Sequence, residues 1–150
     1  MKIQKNSPQF IEIFTDGSCE PNPGPGGWAA VILEDGKVKE IKGFIDKSTN
    51  NRMELIAALE ALKRVPAEKP VKIYTDSQYL QKGITEWINN WRKRNWKRKG
   101  GTLANADLWK ALSEEADKRQ IIWEWVKGHA SHPFNIRADH LAHEMIVKNR

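Results

Sequence analysis

Two short stretches of the chain alternate hydrophobic and polar positions and then stop at an aspartate. The first, IEIFT, is followed by Asp16, Gly17 and Ser18, and the second, VKIYT, is followed by Asp76 and Ser77. A period of two with β-branched and aromatic residues is typical of a half-buried β-strand. The pattern therefore predicts two strands that each end on a carboxylate.

Three more strands are predicted from apolar runs and turn signals. Residues 21–27, PNPGPGG, are predicted to be a turn-rich connection, because Pro and Gly interrupt regular structure. The apolar runs at 28–33 and 38–45 flank Asp35-Gly36, a dipeptide that favours a hairpin. The run IIWEWV at 121–126 is predicted as one more strand. The first three strands are expected to form an antiparallel meander.

Apolar residues recur at helical spacing in four segments, residues 51–65, 77–91, 105–119 and 135–147. The order of elements predicts an α/β fold with a mixed sheet, in which the first and fourth strands are parallel and joined by a right-handed crossover. Parallel neighbours would place Asp16 and Asp76 side by side at the carboxyl ends of their strands. Open sheets carry their functional sites at that edge.

Length and composition fit a single intracellular domain. Residues 1–150 can bury a sizeable core and are expected to form one domain, with a flexible N-terminal extension at residues 1–9. The start of the chain lacks the apolar core of a signal peptide, and no apolar run approaches the ~18 residues of a membrane span. The single cysteine, Cys19, excludes an internal disulfide and a cysteine-rich zinc site. Together with the lack of an exposed apolar stripe, these features favour a cytoplasmic monomer.

The excess positive charge is confined to one stretch of the chain. The protein has 25 Lys and Arg against 19 Asp and Glu, a net charge of +6. Residues 91–99, WRKRNWKRK, hold six of the basic residues and no acid. This stretch, here called the basic segment, therefore accounts for the whole excess. Its alternation of aromatic and basic side chains favours contacts with nucleic acid phosphates.

Two carboxylates on neighbouring strands repel each other unless a cation joins them. Mg²⁺ prefers oxygen ligands, so Asp16 and Asp76 are candidate ligands of a divalent ion. Either aspartate could instead form a turn, and Asp76 could cap the helix that follows it. Glu54 is a third candidate, although it could equally complete a capping box with Asn51. Asp139 is a fourth candidate, with a solvated helical acid as the alternative.

Five motifs carry a resemblance to a known family. The chain contains, in order, FTDGSCEPNPGPGG, TNNRMEL, YTDSQY, WVKGHASHP and RADHLA. These motifs and their separations resemble the bacterial type 1 ribonucleases H, from Ile11 to Ala142. The resemblance implies a ribonuclease H-like fold with a five-stranded mixed sheet, three antiparallel strands followed by parallel strands, flanked by helices. It also implies an endonuclease that hydrolyses the RNA strand of RNA–DNA hybrids and leaves 3′-hydroxyl and 5′-phosphate ends.

The resemblance also assigns roles to individual residues. Two divalent ions, Mg²⁺ or as a substitute Mn²⁺, would be held by four acids, Asp16, Glu54, Asp76 and Asp139. The family's mobile histidine matches His129, which would pass a proton to the leaving 3′-oxygen, whereas His132 is expected to close the loop. The RNA strand would be read through its 2′-hydroxyls by Cys19, Asn22, Asn50, Asn51 and Gln78. Ordinary loop and cap chemistry is the alternative for these polar positions.

Further positions match the DNA side of the family's binding surface. Tyr79 and Trp87 would pack on deoxyribose rings. A pocket for one DNA phosphate would be formed by Lys47, Thr49 and Asn105. The basic segment matches a protrusion that lies against the hybrid and that includes Trp91, Arg92, Lys93, Arg94 and Trp96. The two tryptophans of this protrusion are also expected to pack on a helix.

The chain departs from the family pattern in two places. Ile136 stands where many relatives have Glu, and Phe134 is a second apolar residue in the same loop, but the four acids are intact. Glu34 and Asp35 occupy a hairpin that is often basic, so that edge should contribute little to binding.

Two other functions compete with a ribonuclease H. One is a polynucleotidyl transferase such as an integrase or junction resolvase, which usually lacks the TNNRMEL and GHASHP stretches and the basic segment. The other is a catalytically silent module that binds hybrid or duplex RNA, which should have lost one of the four acids. The residues present argue against both.

Overall fold

The computed structural model describes residues 9–98, 100–128 and 132–150. The predicted N-terminal extension at residues 1–9 lies outside the described residues except for Gln9, and so does His129. Within the described ranges, no helix has the length and apolar character that crossing a membrane requires.

A five-stranded mixed sheet forms the centre of the fold. In chain order its strands are β1 at Ile11–Cys19, β2 at Gly24–Glu34, β3 at Lys37–Ser48, β4 at Val71–Thr75 and β7 at Ile121–Trp125. Their order across the sheet is β3-β2-β1-β4-β7. β2 pairs antiparallel with β1 and β3, whereas β4 lies parallel to both β1 and β7. The predicted α/β fold with a mixed sheet, antiparallel strands followed by parallel strands, is confirmed.

The first strand is longer than the alternation predicts. β1 continues past Asp16, which pairs with Ala29 of β2, so the prediction that this strand ends on the aspartate is wrong. β2 begins at Gly24, inside the segment predicted to be a turn-rich connection. The glycines of that segment serve close packing as well as turning, because a Cβ on Gly27 would collide with the carbonyl oxygen of Ala142.

Helices surround the sheet in the described ranges. They are α1 at Asn50–Leu62, α2 at Gln78–Lys82, a π-helical turn at Gly83–Trp87, α3 at Ile88–Lys93, α4 at Ala106–Asp117 and α5 at Pro133–Asn149. A separate two-stranded ribbon consists of β5 at Lys97–Arg98 and β6 at Gly101–Thr102. The four predicted helical segments are present, and the second is divided into α2, the π-helical turn and α3.

Helix α5 begins at Pro133 rather than at Asn135, where the periodicity predicts its start. Proline suits the first helical position because its missing N–H would have no partner there. His132 caps the helix, since its Nδ1 accepts a hydrogen bond from the backbone N–H of Phe134 at 3.1 Å. The His132 ring also stacks on Phe14 of β1 at a centroid distance of 4.7 Å. The start of α5 is thereby attached to the central strand.

Hydrophobic side chains fill both faces of the sheet. Ile11, Ile13 and Ile73 belong to a core cluster that α1 and α4 complete on one face. Phe14 packs with Leu141 and other α5 residues in a second cluster on the opposite face. Alternate residues of a strand face opposite sides, so β1 is buried on both faces. Burial on both faces fixes the position of every residue that β1 carries.

Candidate active site

Asp16, Glu54 and Asp76 converge at the carboxyl end of β4. One carboxylate oxygen from each residue lies within 4.8 Å of the other two. β1 and β4 run parallel with Phe14 beside Tyr74, and this register brings Asp16 and Asp76 to neighbouring positions farther along the strands. The predicted side-by-side placement of the two aspartates is confirmed.

Helix α1 supplies the third carboxylate. Its N-cap is Thr49, whose Oγ1 accepts a backbone N–H of the first turn at 3.2 Å. Glu54 therefore lies beyond the capping positions, and the alternative of a capping box with Asn51 is excluded. Gly17 of β1 allows the helix to approach, because a Cβ there would lie 2.5 Å from the backbone carbonyl carbon of Met53.

The local explanations for the other acids do not hold either. Asp76 does not cap α2, because Ser77 does so by accepting the N–H of Leu80 at 3.0 Å. Asp139 of α5 is half-buried, and its side chain shares a hydrogen bond with Asp16. The four predicted acids therefore belong to one cluster, here called the acidic cluster.

Burial and neighbouring carboxylates raise the pKa values of two members of the acidic cluster, Asp16 and Glu54. Burial first, then the charge of Asp76 and the hydrogen bond with Asp139, raise the pKa of Asp16 to about 8. Burial, together with Asp16 and Asp76, raises the pKa of Glu54 well above its usual value. Glu54 is only 9% exposed, and its Oε1 has no hydrogen-bond partner among the described residues. Such a carboxyl group is stabilised either by a proton or by a cation.

Three polar residues predicted to read the RNA strand form one hydrogen-bonded group between β1 and α1. The backbone N–H of Cys19 donates to Asn50 Oδ1 at 2.7 Å, and the backbone N–H of Asn50 donates to Asn22 Oδ1 at 3.0 Å. The Cys19 side chain is buried, and burial raises the pKa of its thiol. Asn51 and Gln78 are exposed in the first turns of α1 and α2.

Arg52, which the sequence reasoning missed, joins α1 to α4. Its guanidinium donates to Asn105 Oδ1 at 3.1 Å and forms a bidentate pair with Asp107 at 3.0 and 3.1 Å. Asn105 Nδ2 donates to the Tyr79 hydroxyl at 3.0 Å, and this hydroxyl also accepts the Trp109 indole N–H at 3.1 Å. The amide of Asn105 is thus engaged at both ends by neighbouring side chains.

The other two residues of the predicted phosphate pocket lie just before α1. Lys47 is exposed near the end of β3. The Thr49 hydroxyl accepts the backbone N–H of Arg52, whose guanidinium binds Asn105. Thr49 and Asn105, which are far apart in the sequence, are therefore connected through one arginine.

Four aromatic rings, those of Tyr79, Trp87, Trp91 and Trp109, form a closed group. Successive ring centroids in this order are 6.3, 5.8 and 5.0 Å apart, and the Trp109 ring returns to within 5.3 Å of Tyr79. Trp109 is fully buried whereas Trp87 is 37% exposed, so the group connects the core with the surface. Trp91 and Trp96 are partly buried against the core, which agrees with the packing role predicted for both.

The basic segment comprises the end of α3, a turn and β5. Its described basic side chains are all exposed, and they are Arg92, Lys93, Arg94, Lys97 and Arg98. Lys99 lies outside the described residues. Arg92 is paired with Asp117 of α4 at 3.0 Å, so its charge is partly offset by that carboxylate. The segment is therefore a positive surface that is attached to α4 at one end.

Two more residues near the acidic cluster were missed by the sequence reasoning. The Trp125 indole donates to the backbone carbonyl of Asp76 at 3.1 Å. Asn135 in the first turn of α5 is buried, and within the described ranges its Oδ1 has no hydrogen-bond partner. The sequence indicates only the elements on which these residues lie, because a contact with a distant part of the chain leaves no periodic signal.

Comparisons with known proteins assign the chain to a family. A family model described as RNase H matches residues 8–147. A ribonuclease H of Hahella chejuensis is 54% identical over 133 residues, which cover 88% of this chain and 90% of that protein.

Solved structures give the same result. LC9-RNase H1, described as a type 1 RNase H with the type 2 active-site motif, aligns with a TM-score of 0.84 at 29% identity, covering 98% of this chain and 76% of that one. LC11-RNase H1, solved in complex with an RNA/DNA hybrid, aligns with a TM-score of 0.68 at 25% identity, covering 92% of this chain and 97% of that one. The chain therefore belongs to the RNase H family of endoribonucleases, with the bacterial type 1 enzymes.

Proposed function

We propose that the protein hydrolyses the RNA strand of RNA–DNA hybrids at its acidic cluster. One observation carries the proposal. In a chain of the RNase H family, carboxylates from β1, α1 and the end of β4 meet within 4.8 Å. The choice of substrate is supported by LC11-RNase H1, a protein of the same fold that was solved in complex with an RNA/DNA hybrid.

The acidic cluster fits divalent cations. Its candidate ligands are hard carboxylate oxygens, which suit Mg²⁺ and also Mn²⁺. Uncompensated negative charge is costly there, as the raised pKa values of Asp16 and Glu54 indicate, and Glu54 Oε1 has no partner among the described residues. We therefore infer that the four acids hold two Mg²⁺ ions when substrate is bound, and that they accept Mn²⁺ as a substitute.

Bound ions would activate the attacking water and stabilise the negative charge that develops at the scissile phosphate. The protein keeps the carboxylates in place through the β1–β4 ladder and the approach of α1 to Gly17. His129, which lies outside the described residues, is proposed to donate a proton to the leaving 3′-oxygen. The products would be a 3′-hydroxyl and a 5′-phosphate.

The hybrid is proposed to contact two sets of residues on either side of the acidic cluster. On the RNA side the candidates are polar groups that can recognise a 2′-hydroxyl, namely Cys19, Asn22, Asn50, Asn51 and Gln78. On the DNA side they are Lys47, Thr49, Tyr79, Trp87 and Asn105. The basic segment would contact phosphates farther along, with Trp91 and Trp96 packed beneath it. We also propose that the protein acts as a monomer in the cytoplasm.

Asp76→Asn should lower the rate of hybrid cleavage by more than ~100-fold. This loss is larger than the usual one for a residue that only hydrogen-bonds to a metal ligand. The reason is that an amide keeps the shape of the side chain but ligates Mg²⁺ poorly. The measurement is cleavage of an end-labelled RNA–DNA hybrid with and without Mg²⁺. The parent should cut only the RNA strand, and deoxynucleotides at the cut site should block it.

Asp46→Asn is the matched control for this experiment, because Asp46 is an exposed acid on β3. It should retain parental activity. Near-parental cleavage by Asp76→Asn would contradict a metal role for the acidic cluster. Efficient cleavage of duplex DNA by the parent would favour the junction resolvase alternative.

Removing the Asp16 charge should stabilise the metal-free protein at alkaline pH. The pKa of Asp16 rises from 3.8 to about 8 in the folded protein, so folding favours the protonated carboxyl group. The stability that the protonated group contributes is fully present below pH 3.8 and is lost as the pH rises through about 8. In EDTA at pH 9, Asp16→Asn should therefore raise the free energy of unfolding by about 1 to 3 kcal/mol. Urea denaturation measures the difference, which excess Mg²⁺ should reduce. A larger gain at pH 5 than at pH 9 would reject this electrostatic explanation.

Neutralising the basic segment should raise KM for the hybrid much more than it lowers kcat. Phosphate contacts far from the chemistry stabilise the bound ground state and the transition state alike. In this variant Gln replaces the six basic residues of the segment, which are Arg92, Lys93, Arg94, Lys97, Arg98 and Lys99. The log–log salt dependence of binding should flatten by ~0.7 to 0.9 for each phosphate that is no longer neutralised by the protein. Lys37→Gln with Lys39→Gln, at exposed positions of β3, is the control, and an equal change in slope there would refute a specific role for the segment.

The two histidines before and at the start of α5 should differ in what they control. His129→Ala should reduce kcat by roughly ten- to a thousandfold with little change in KM, as expected when a proton donor is removed. His132→Ala should mainly lower the free energy of unfolding, by about 1 to 2 kcal/mol, because it removes the cap of α5 and the stack on Phe14. Steady-state kinetics and thermal denaturation of both variants test the contrast. Parental kcat for His129→Ala would remove it from the mechanism.

A further inference from the structure

Trp125 ends β7 beside the strand that leads into Asp76. It pairs with Thr75 in the parallel ladder between β4 and β7. Its side chain reaches one residue farther, and its Nε1 donates a hydrogen bond to the backbone carbonyl of Asp76 at 3.1 Å. The residue is 37% exposed, so the ring lies at the surface near the acidic cluster.

The backbone around Asp76 is held by a short series of hydrogen bonds. The Thr75 carbonyl accepts the N–H of Val126 at 2.9 Å, and the Thr75 hydroxyl accepts the N–H of Ser77 at 3.0 Å. β4 ends at Thr75, so the next carbonyl lies beyond the strand ladder. The indole of Trp125 takes the place of a strand partner for that carbonyl. It thereby holds the Asp76–Ser77 peptide plane, which adjoins the Cα that carries the Asp76 carboxylate.

We propose that Trp125 is a positioning residue for Asp76. Its indole N–H orients the Asp76 carboxylate towards Asp16 and Glu54 and so sets the affinity of the acidic cluster for divalent cations. Ligand distances in a metal site are fixed within about 0.2 Å, so a small rotation of the Asp76 peptide changes that affinity. The inference rests on the proposed function only in taking the acidic cluster to bind divalent ions.

A direct substrate contact is the competing role for an exposed tryptophan. The hydrogen bond favours positioning, because the one polar group of the indole is directed at the Asp76 carbonyl. The two roles also differ in what they change. A substrate contact affects KM for the hybrid and leaves metal affinity unaltered, whereas a positioning residue affects metal affinity in the absence of any nucleic acid.

The decisive variant is Trp125→Phe, which keeps an aromatic ring and removes the N–H. Its matched control is Trp123→Phe on the same strand, because Trp123 packs against the hydrophobic core instead of bonding to Asp76. Mg²⁺ is titrated into each protein by calorimetry without nucleic acid. Trp125→Phe should bind Mg²⁺ roughly 3- to 10-fold more weakly than the parent, the equivalent of one hydrogen bond, and Trp123→Phe should match the parent.

Kinetics add a second readout. At limiting Mg²⁺, Trp125→Phe should cleave the hybrid more slowly than the parent, and saturating Mg²⁺ should restore kcat with KM for the hybrid unchanged. A raised KM together with parental Mg²⁺ affinity would overturn the inference in favour of a substrate contact.

A spectroscopic measurement on the parent protein tests the inference even if Trp125→Phe does not fold. The indole ¹H–¹⁵N signal of Trp125, assigned through the backbone, should shift on Mg²⁺ addition with the same midpoint as the amide of Asp76. A Trp125 signal that does not move would overturn the inference. A parent that shows the shift but cuts no hybrid would reject the proposed function and leave this inference intact. Equal Mg²⁺ affinities of the two variants, in a parent that cuts hybrids, would reject the inference alone.

Discussion

The repulsion among carboxylates at one edge of the sheet is the constraint on which the rest of this structure depends. Asp16 and Asp76 lie on adjacent parallel strands, and α1 adds Glu54 within 4.8 Å of both. Burial disfavours the charged forms of Asp16 and Glu54, so these two carboxylates oppose folding of the metal-free protein at neutral pH. Packing on both faces of β1 offsets this cost and keeps the acids close together.

Local pattern and the order of elements together predict the part of the site that the sheet builds. Alternation before Asp16 and Asp76 predicts two strands, and the element order makes these strands parallel neighbours, so the two acids are expected side by side although β1 in fact continues past Asp16. Glu54 and Asp139 are different, because each had a good local explanation as a helix cap or a solvated acid. Their membership in the cluster was predicted from the resemblance of the motifs, and the contacts of both residues agree with it.

Contacts between distant parts of the chain account for what could not be predicted. Gly27 indicated a turn, and only the approach of the Ala142 carbonyl explains why a glycine is needed inside a strand. The guanidinium of Arg52 binds Asp107, 55 positions away, and such a pair has no signature in either local sequence. For the same reason the bond from Trp125 to the Asp76 carbonyl was missed.

The bonds made by Arg52 have an entropic consequence for recognition. They hold Asn105 against the Tyr79 hydroxyl before any ligand arrives, so these side chains have little rotational freedom left to lose. Immobilising a flexible side chain on binding costs about 0.5 to 1.5 kcal/mol, and a preorganised surface avoids that cost. In the proposed complex, a rigid surface would meet the DNA strand while the long side chains of the basic segment adapt to it. The rigid surface would select for the geometry of the duplex, and the basic segment would tolerate any nucleotide sequence.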